Sequence, residues 1–326
     1  MVFVGAASFY GDSFCERCDT MKKTSLWTIL AKDFKRHKQK YLIILPVLVF
    51  FILFHYKPMY GLIIAFKRYK PALGIWRSPW VGFDNFVRFF NDYYFFRLIR
   101  NTFTISFLSI LFCFPVPILL ALLLNEVKNQ KFKKTVQTIT YMPHFVAMVV
   151  MCGMINSFVS SNGIINDIIA LFGGKRVNLL TKKEYFYPIY IISNIWKNVG
   201  WDSIIFLAAL SGIDQEQYEA ARIDGAGRIQ QMLYITLPGI LPTISILLIL
   251  KLGGILSVGY EKILLLYQPI TYEVADVIST YVYRKGLIEG DYSYSTAISI
   301  FNSVVNIIFL RFANWMSKKA GQSGLY

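Results

Sequence analysis

Long apolar runs separated by short polar blocks dominate this chain. Six runs reach the length needed to cross a bilayer, about 20 mostly apolar residues. They cover about 41–66, 101–125, a stretch within 135–166, about 185–211, about 237–258 and about 294–312. The second and third carry no formal charge, and Lys57 and Pro58 interrupt the first. Pro115, Pro117, Gly153, Gly200, Gly253 and Gly254 fall inside runs. Such breakers persist in lipid where neighbouring helices satisfy the freed backbone groups. The pattern predicts an all-α membrane protein with six transmembrane helices. Composition agrees: 55% of residues are hydrophobic, 17% aromatic and 16% charged, against about 25% charged in an ordinary soluble domain.

Charge placement sets an orientation. Net charge is +15. Lys22, Lys23, Lys32, Lys35, Arg36, Lys38 and Lys40 precede the first span. Lys128, Lys131, Lys133 and Lys134 follow the second, and Arg311, Lys318 and Lys319 lie at the end of the chain. With six spans these segments share one side, and the positive-inside rule makes it the cytoplasm. The rule is not clean, because the opposite loops are also basic. Lys67, Arg68, Lys70, Arg77, Arg88, Arg97 and Arg100 stand there against Asp84 and Asp92, with Lys175, Arg176, Lys182 and Lys183 after span three. Two readings of that outer charge stay open. One is contact with anionic lipid headgroups or acidic partner faces; the other is long-range attraction of an anionic substrate or acidic binding protein. No nucleic-acid module accompanies the charge, so nucleic acid is not expected as a partner.

One polar, turn-forming block sits between two apolar runs: residues 219–242, EAARIDGAGRIQQMLYITLPGILP. Asp214, with Gln217 three positions on, predicts a capping-box start for a short helix. Ala220 and Ala221 keep one helix face small, suited to a tight socket on a partner, and Glu219 offers a single acid near the helix start. Asp224-Gly225 marks a turn, with Gly225 free to take a positive φ. A second helical piece over 227–236 leads to Leu237-Pro238, where span five is expected to begin because proline suits a first helical turn.

This block closely resembles the EAA loop of bacterial ABC importer permeases. Glu219, Ala220, Ala221, Asp224, Gly225, Ala226, Ile235, Leu237, Pro238 and Pro242 stand in the family pattern, with Met232 where the family usually has Phe. PMYGLIIAFKRYKP (58–71), SPWVGFDNFVRFF (78–90), QTITYMPHFVAMVV (137–150) and IWKNVGWDSIIFLAALSGID (195–214) look like the polysaccharide-class sugar permeases of lipo-oligosaccharide or alginate type. The resemblance implies a type I ABC importer permease fold with a cytoplasmic coupling helix in an EAA loop over 212–238. It implies a six-span domain over 41–316, a cytoplasmic N-terminal segment 1–40 and a cytoplasmic tail 317–326, in the bacterial inner membrane. It implies a second, related permease (a heterodimer), two ATPase subunits and an extracytoplasmic solute-binding protein. ATP and Mg would sit on the ATPase partners: the chain has no GxxxxGK[ST] loop, and no cofactor of its own is expected.

Polar residues inside spans are candidates for a substrate path. Span four is richest, with Asn194, Trp196, Lys197, Asn198, Trp201 and Asp202. Asn194, Asn198 and Trp201 share a helical face, and rings with amides suit a sugar. Asn156, Lys251, Tyr260, Glu261, Lys262, Asn302 and Asn306 are further candidates; the alternative for all of them is polar contact between helices. His144 reads as a hydrogen-bonded structural residue, and Cys113 and Cys152 as packing residues. Cys15 and Cys18 form one CxxC, weak evidence for a metal. Residues 1–20 read as an extension ahead of Met21. No metal-ligand spacing or catalytic constellation is visible, so an enzyme is not expected. A secondary transporter would show inverted repeats, and none is apparent. The cargo expected is an oligosaccharide, acidic if the outer basic loops attract it and neutral otherwise.

Overall fold

The computed structural model describes residues 36–321 and 324–325. The CxxC and residues 1–20 lie outside them. Two units separate, one ending at Ile63 and one covering 64–325. The first contains helix α1 (Lys38–Phe51), which continues through a π-helical turn at Ile52–Tyr56.

The second unit is helical, with one isolated bridge, Lys67 to Trp80, among the described residues. A short helix, α2 (Asp84–Phe90), precedes span two. Span two is α3 (Phe95–Leu108), a π-helical turn at Ser109–Cys113, then α4 (Pro115–Glu126). α5 (Gln130–Tyr141), α6 (Met148–Val159) and α7 (Ile164–Leu171) follow, then α8 (Lys183–Ser211). The EAA block holds α9 (Gln215–Ile223) and α10 (Arg228–Gln231). α11 (Leu237–Gly253) forms most of span five. α12 (Tyr260–Leu266), α13 (Tyr272–Ala275) and α14 (Ile278–Tyr283) lead to α15 (Tyr292–Lys319), span six.

Among the described residues, five helical stretches are long and apolar enough to cross a membrane. α8 is not among them, although its 29 residues give about 43 Å at 1.5 Å per residue. The polar residues that single it out in the sequence lower its hydropathy. Three of the π-helical turns stand immediately ahead of a proline: 52–56 before Pro58, 109–113 before Pro115, and 232–236 before Pro238. A proline ring clashes with the carbonyl four residues back, here Phe54, Leu111 and Tyr234, and widening that turn moves the carbonyl away. Lys57-Pro58 therefore does not end the first span's helix, and the helix of span five starts at Arg228 rather than at Leu237.

Span three departs most from expectation. The uncharged stretch is no single helix: α5 ends in a 3-10 turn at Met142–Phe145, and Val146 and Ala147 are extended before α6. Pro143 removes a donor at the break. Lys197 of α8, buried, donates its ammonium to the carbonyls of His144 (3.2 Å) and Val146. In lipid such freed carbonyls have no water to turn to. At the opposite flank of the break, α5 crosses α8 at Gly200, where any Cβ would lie 2.2 Å from the Thr140 carbonyl oxygen.

Span five also ends early, at Gly253 instead of about 258. Gly253 admits Leu310 of α15, which a Cβ would meet at 2.5 Å. Asn306 of α15 then fixes the non-helical chain, accepting from Leu256 N (3.0 Å) and donating to Ser257 Oγ (2.9 Å). Ser106 of α3 donates to the Ile255 carbonyl. Asn306 is thus a structural clamp. Span six is longer at both ends than about 294–312, running through Lys319 and past the expected tail boundary at 317.

Candidate functional site

At the α9 end, the EAA block folds by local rules. Asp214 caps α9, accepting from Glu216 N (3.0 Å); among the hydrogen bonds of this cap, the reciprocal one expected from Gln217 is not formed. The C-terminus is a Schellman turn. Ala226 N donates to Ala221 O (2.8 Å) and Gly225 N to Arg222 O (3.1 Å), with Gly225 at φ +79°. Asp224 N donates to Ala220 O (3.0 Å), so the EAA–DG spacing is the spacing of one helix and its terminating turn. Two contacts fasten α9 to span five. The hydroxyls of Tyr218 and buried Thr236 lie 3.0 Å apart, and Ile213 packs on Gly239 so closely that a Cβ there would sit 2.8 Å away.

No residue of α9 is buried. Glu219 and Ala220 are exposed and Ala221 is half-buried. Ile223, 87% exposed, and Ile229, 69% exposed, are large apolar residues facing outward beside charged Arg222 and Arg228. This end presents a surface; Asp224, Gly225, Ala226 and Leu237-Pro238 shape it.

The second gathering of candidates is a cavity of about 420 Å³. α3 and the turn after it, α8, the end of α11 and the segment 254–262 line it. Asn194, Asn198, Asp202 and Glu261 all face it, joined by Lys251 and Lys262. The amides form a ladder: Asn198 Nδ2 donates to Asn194 Oδ1 (3.0 Å), and Asn194 Nδ2 to Cys113 Sγ (3.5 Å). His144 Nδ1 lies 3.3 Å from Asn198 Oδ1 and its ring stacks on Trp201 with centroids 4.4 Å apart. His144 is hydrogen-bonded as expected. Cys113 does more than pack: it lines the cavity and holds an amide. The Lys262 ammonium donates to Tyr190 O (2.8 Å) and lies 4.3 Å from the Tyr190 ring centre.

Other candidates lie elsewhere. Trp196 and Asn156 are exposed and do not line this cavity. Lys197 does not line this cavity; its ammonium serves two carbonyls at the span-three break. Tyr260 and Asn302 line a separate pocket.

Sequence reasoning missed a polar scaffold at the opposite end from α9. Asp276, fully buried, pairs with Arg284 (2.6 Å) and Arg97 (3.7 Å) and accepts from Thr280 Oγ1 (2.8 Å). Asn101 donates to the carbonyls of Glu273 and Asp276, both at 3.0 Å. Asp92 accepts from the hydroxyls of Tyr281 (2.6 Å) and Tyr294 (2.5 Å). Burial pushes the Asp92 carboxyl up, but these hydroxyls and Tyr94 N outweigh it and hold it below its ordinary 3.8. A depressed acid stabilises the fold above its unfolded pKa and loses that contribution as pH falls through its lower folded value. The visible signal for Asp276 was an acid in the apolar run VADVI.

The charge expected on the outer side is correspondingly less free than the sequence suggests. Of the eleven basic residues expected there, Arg88, Arg97, Arg176 and Lys183 pair with Asp291, Asp276, Asp167 and Glu273, while Lys67 and Arg100 donate to carbonyls.

A bundle of broken apolar helices, an uncovered EAA helix and a polar cavity between spans defines a membrane permease. Residues 86–322 match the model of the family described as binding-protein-dependent transport system inner membrane component, and the chain belongs to that family. It is 47% identical over 293 residues to Protein LplB of Bacillus subtilis (strain 168), covering 90% of this chain and 92% of that protein. It is equally similar, 47% over 294 residues, to the polygalacturonan/rhamnogalacturonan transport system permease protein YteP of the same organism, covering 89% and 91%. Among solved structures, a bacterial alginate ABC transporter in complex with alginate pentasaccharide-bound periplasmic protein matches with a TM-score of 0.83. Identity to it is 49%, with 90% of this chain and 99% of that chain covered. The type I permease fold expected from the sequence is thereby shown.

Proposed function

We propose that this chain forms half of the translocation path of an ATP-driven importer for acidic oligosaccharides. The observation that carries this reading is the 420 Å³ cavity, which joins two lysines, two acids and an amide ladder between spans two, four and five. Amides suit sugar hydroxyls, and Lys251, exposed at the cavity wall, suits a uronate carboxylate. The names of the relatives, which include polygalacturonan and alginate systems, favour an acidic cargo. The cavity supplies a better argument for it than the outer loops, four of whose eleven basic residues pair with acids of the chain itself.

In this reading α9 is the coupling helix, the N- and C-terminal ends face the cytoplasm, and two ATPase subunits bind at α9. A second, related permease completes the path and a solute-binding protein delivers the cargo at the far end. ATP and Mg belong to the ATPases. Motion of α9 reaches the cavity through span five: Tyr218 and Ile213 grip its start, and Lys251 and Gly254 at its end line the cavity. The 17 residues of α11 span about 25 Å. Cargo drives the switch only through different affinities for the two states.

Two measurements test this. In pull-downs, wild type is expected to retain its ATPase subunit, while Ile223→Asp and Glu219→Ala weaken retention at least about tenfold, since an anchor residue buried at an interface contributes on the order of 1–2 kcal/mol or more. Undiminished retention in both variants would remove α9 from the interface. In the assembled importer, alginate oligosaccharides are expected to stimulate ATP hydrolysis and arabino-oligosaccharides not to, with Lys251→Gln raising the alginate concentration needed. Stimulation by the neutral sugar alone would replace the acidic cargo with a neutral one.

A further inference from the structure

A second cavity, of about 460 Å³, opens between α12, α14 and the first half of α15. It borders the first. Tyr260 lines the second, while its chain neighbours Glu261 and Lys262 line the first. Ser279, in the second, donates its hydroxyl to the carbonyl of Val258, in the first, at 3.0 Å. The two cavities meet across the segment 258–262.

Their chemistry differs. The first holds four charged residues; the lining of the second holds none. Tyr260 and Tyr283 stack there with centroids 6.0 Å apart and planes inclined by 24°, and Tyr260 is half exposed. Ser295, Ser299 and Ser303 stand on one face of α15, spaced by one turn. Each hydroxyl donates to a carbonyl of its own helix, at 3.1, 2.9 and 3.0 Å. A serine has one hydrogen and two lone pairs, so these three present acceptors to the cavity. Asn302, between them, has its Oδ1 enclosed and without a hydrogen-bond partner. Gly286 closes the wall, because a Cβ there would lie 2.7 Å from Ser295 Oγ.

An aromatic pair beside a row of acceptors selects its ligand by chemistry. A carboxylate offers only more acceptors and meets no cation. A metal ion would need formal negative charge, which the lining lacks. A pyranose ring fits both features: its C–H face packs on tyrosine and its hydroxyls donate to Ser299 and Ser303, beside Asn302 on the same wall. We infer that this pocket is a second saccharide subsite, taking the uncharged ring and hydroxyls of a sugar unit neighbouring the one in the first cavity. The subsite rests on the proposed oligosaccharide import, and it makes the path read cargo length as well as charge. Tyr260 and Asn302 then act on the cargo, away from the amide ladder.

Binding to the purified complete importer in detergent, by titration calorimetry, tests this with alginate disaccharide and pentasaccharide. Wild type is expected to bind the pentasaccharide more tightly. Tyr283→Ala and Asn302→Leu are expected to weaken pentasaccharide binding about tenfold and leave the disaccharide within about twofold, while Tyr283→Phe, which keeps the ring, behaves as wild type. Equal losses for both lengths, or no loss in either variant, would overturn the subsite and leave the import reading standing. Failure of wild type to bind either sugar would overturn the import reading, and the subsite with it.

Discussion

Gly200→Ala is expected to destabilise the bundle by about 3 kcal/mol, the upper end of what overpacking usually costs. The added methyl would lie 2.2 Å from the oxygen and 2.4 Å from the carbon of the Thr140 carbonyl. Those are backbone atoms, so no side-chain rotation relieves the contact and α5 must move off α8. That motion would also disturb the break after α5, where Lys197 holds the carbonyls of His144 and Val146, and with it His144 and the amide ladder. Two other glycines calibrate the result. A Cβ at Gly153 of α6 meets nothing within 4 Å, so Gly153→Ala should be neutral or stabilise by up to about 1 kcal/mol through helix propensity. At Gly253 the Cβ meets Leu310, a side chain able to turn, so an intermediate loss is expected. Thermal unfolding of the purified protein in detergent ranks the three. A Gly200→Ala melting point equal to wild type would mean that α5 and α8 do not cross there.

Asp276→Ala is expected to cost about 3–5 kcal/mol, the range for removing one partner of a buried ion pair. Asp276 is fully buried, and its loss would strand Arg284 and Arg97 against one another. Asn101 donates to its backbone carbonyl, so the variant keeps that anchor and isolates the role of the carboxylate. Combining Asp276→Ala with Arg284→Met should cost less than the sum of the single changes, since contacting residues couple. Additive losses, or an Asp276→Ala protein as stable as wild type, would remove the pair from the scaffold that joins α3, α13 and α14. The exposed pairs should differ. Arg176→Ala, whose partner Asp167 is half exposed, belongs with surface bridges, which contribute about 0–1 kcal/mol.

The EAA block was legible residue by residue because its geometry is local. A Schellman turn relates residues close in the chain, so Ala221, Arg222, Gly225 and Ala226 specify it without the rest of the protein, as Asp214 specifies the cap at the other end of α9. The break in span three was not legible. Nothing in QTITYMPHFVAMVV shows that its freed carbonyls find their donor in a lysine more than fifty residues away. For the same reason the sequence did not show what Lys197 touches: a charge in an apolar run signals function or support, and only its neighbours reveal the contact. Cys113 erred in the other direction, since a cysteine in a span carries no mark that an asparagine from another span will meet it.

By itself the sequence determined the membrane class of the chain, its apolar runs, its family and the form of the EAA turn, because hydrophobic length and short-range capping are encoded where they act. The tertiary structure decided which polar residues share a cavity, which arginines are neutralised, and where helices break or approach to backbone contact. Those outcomes depend on atoms brought together from distant parts of the chain, and in a medium without water each polar group must find its partner among them.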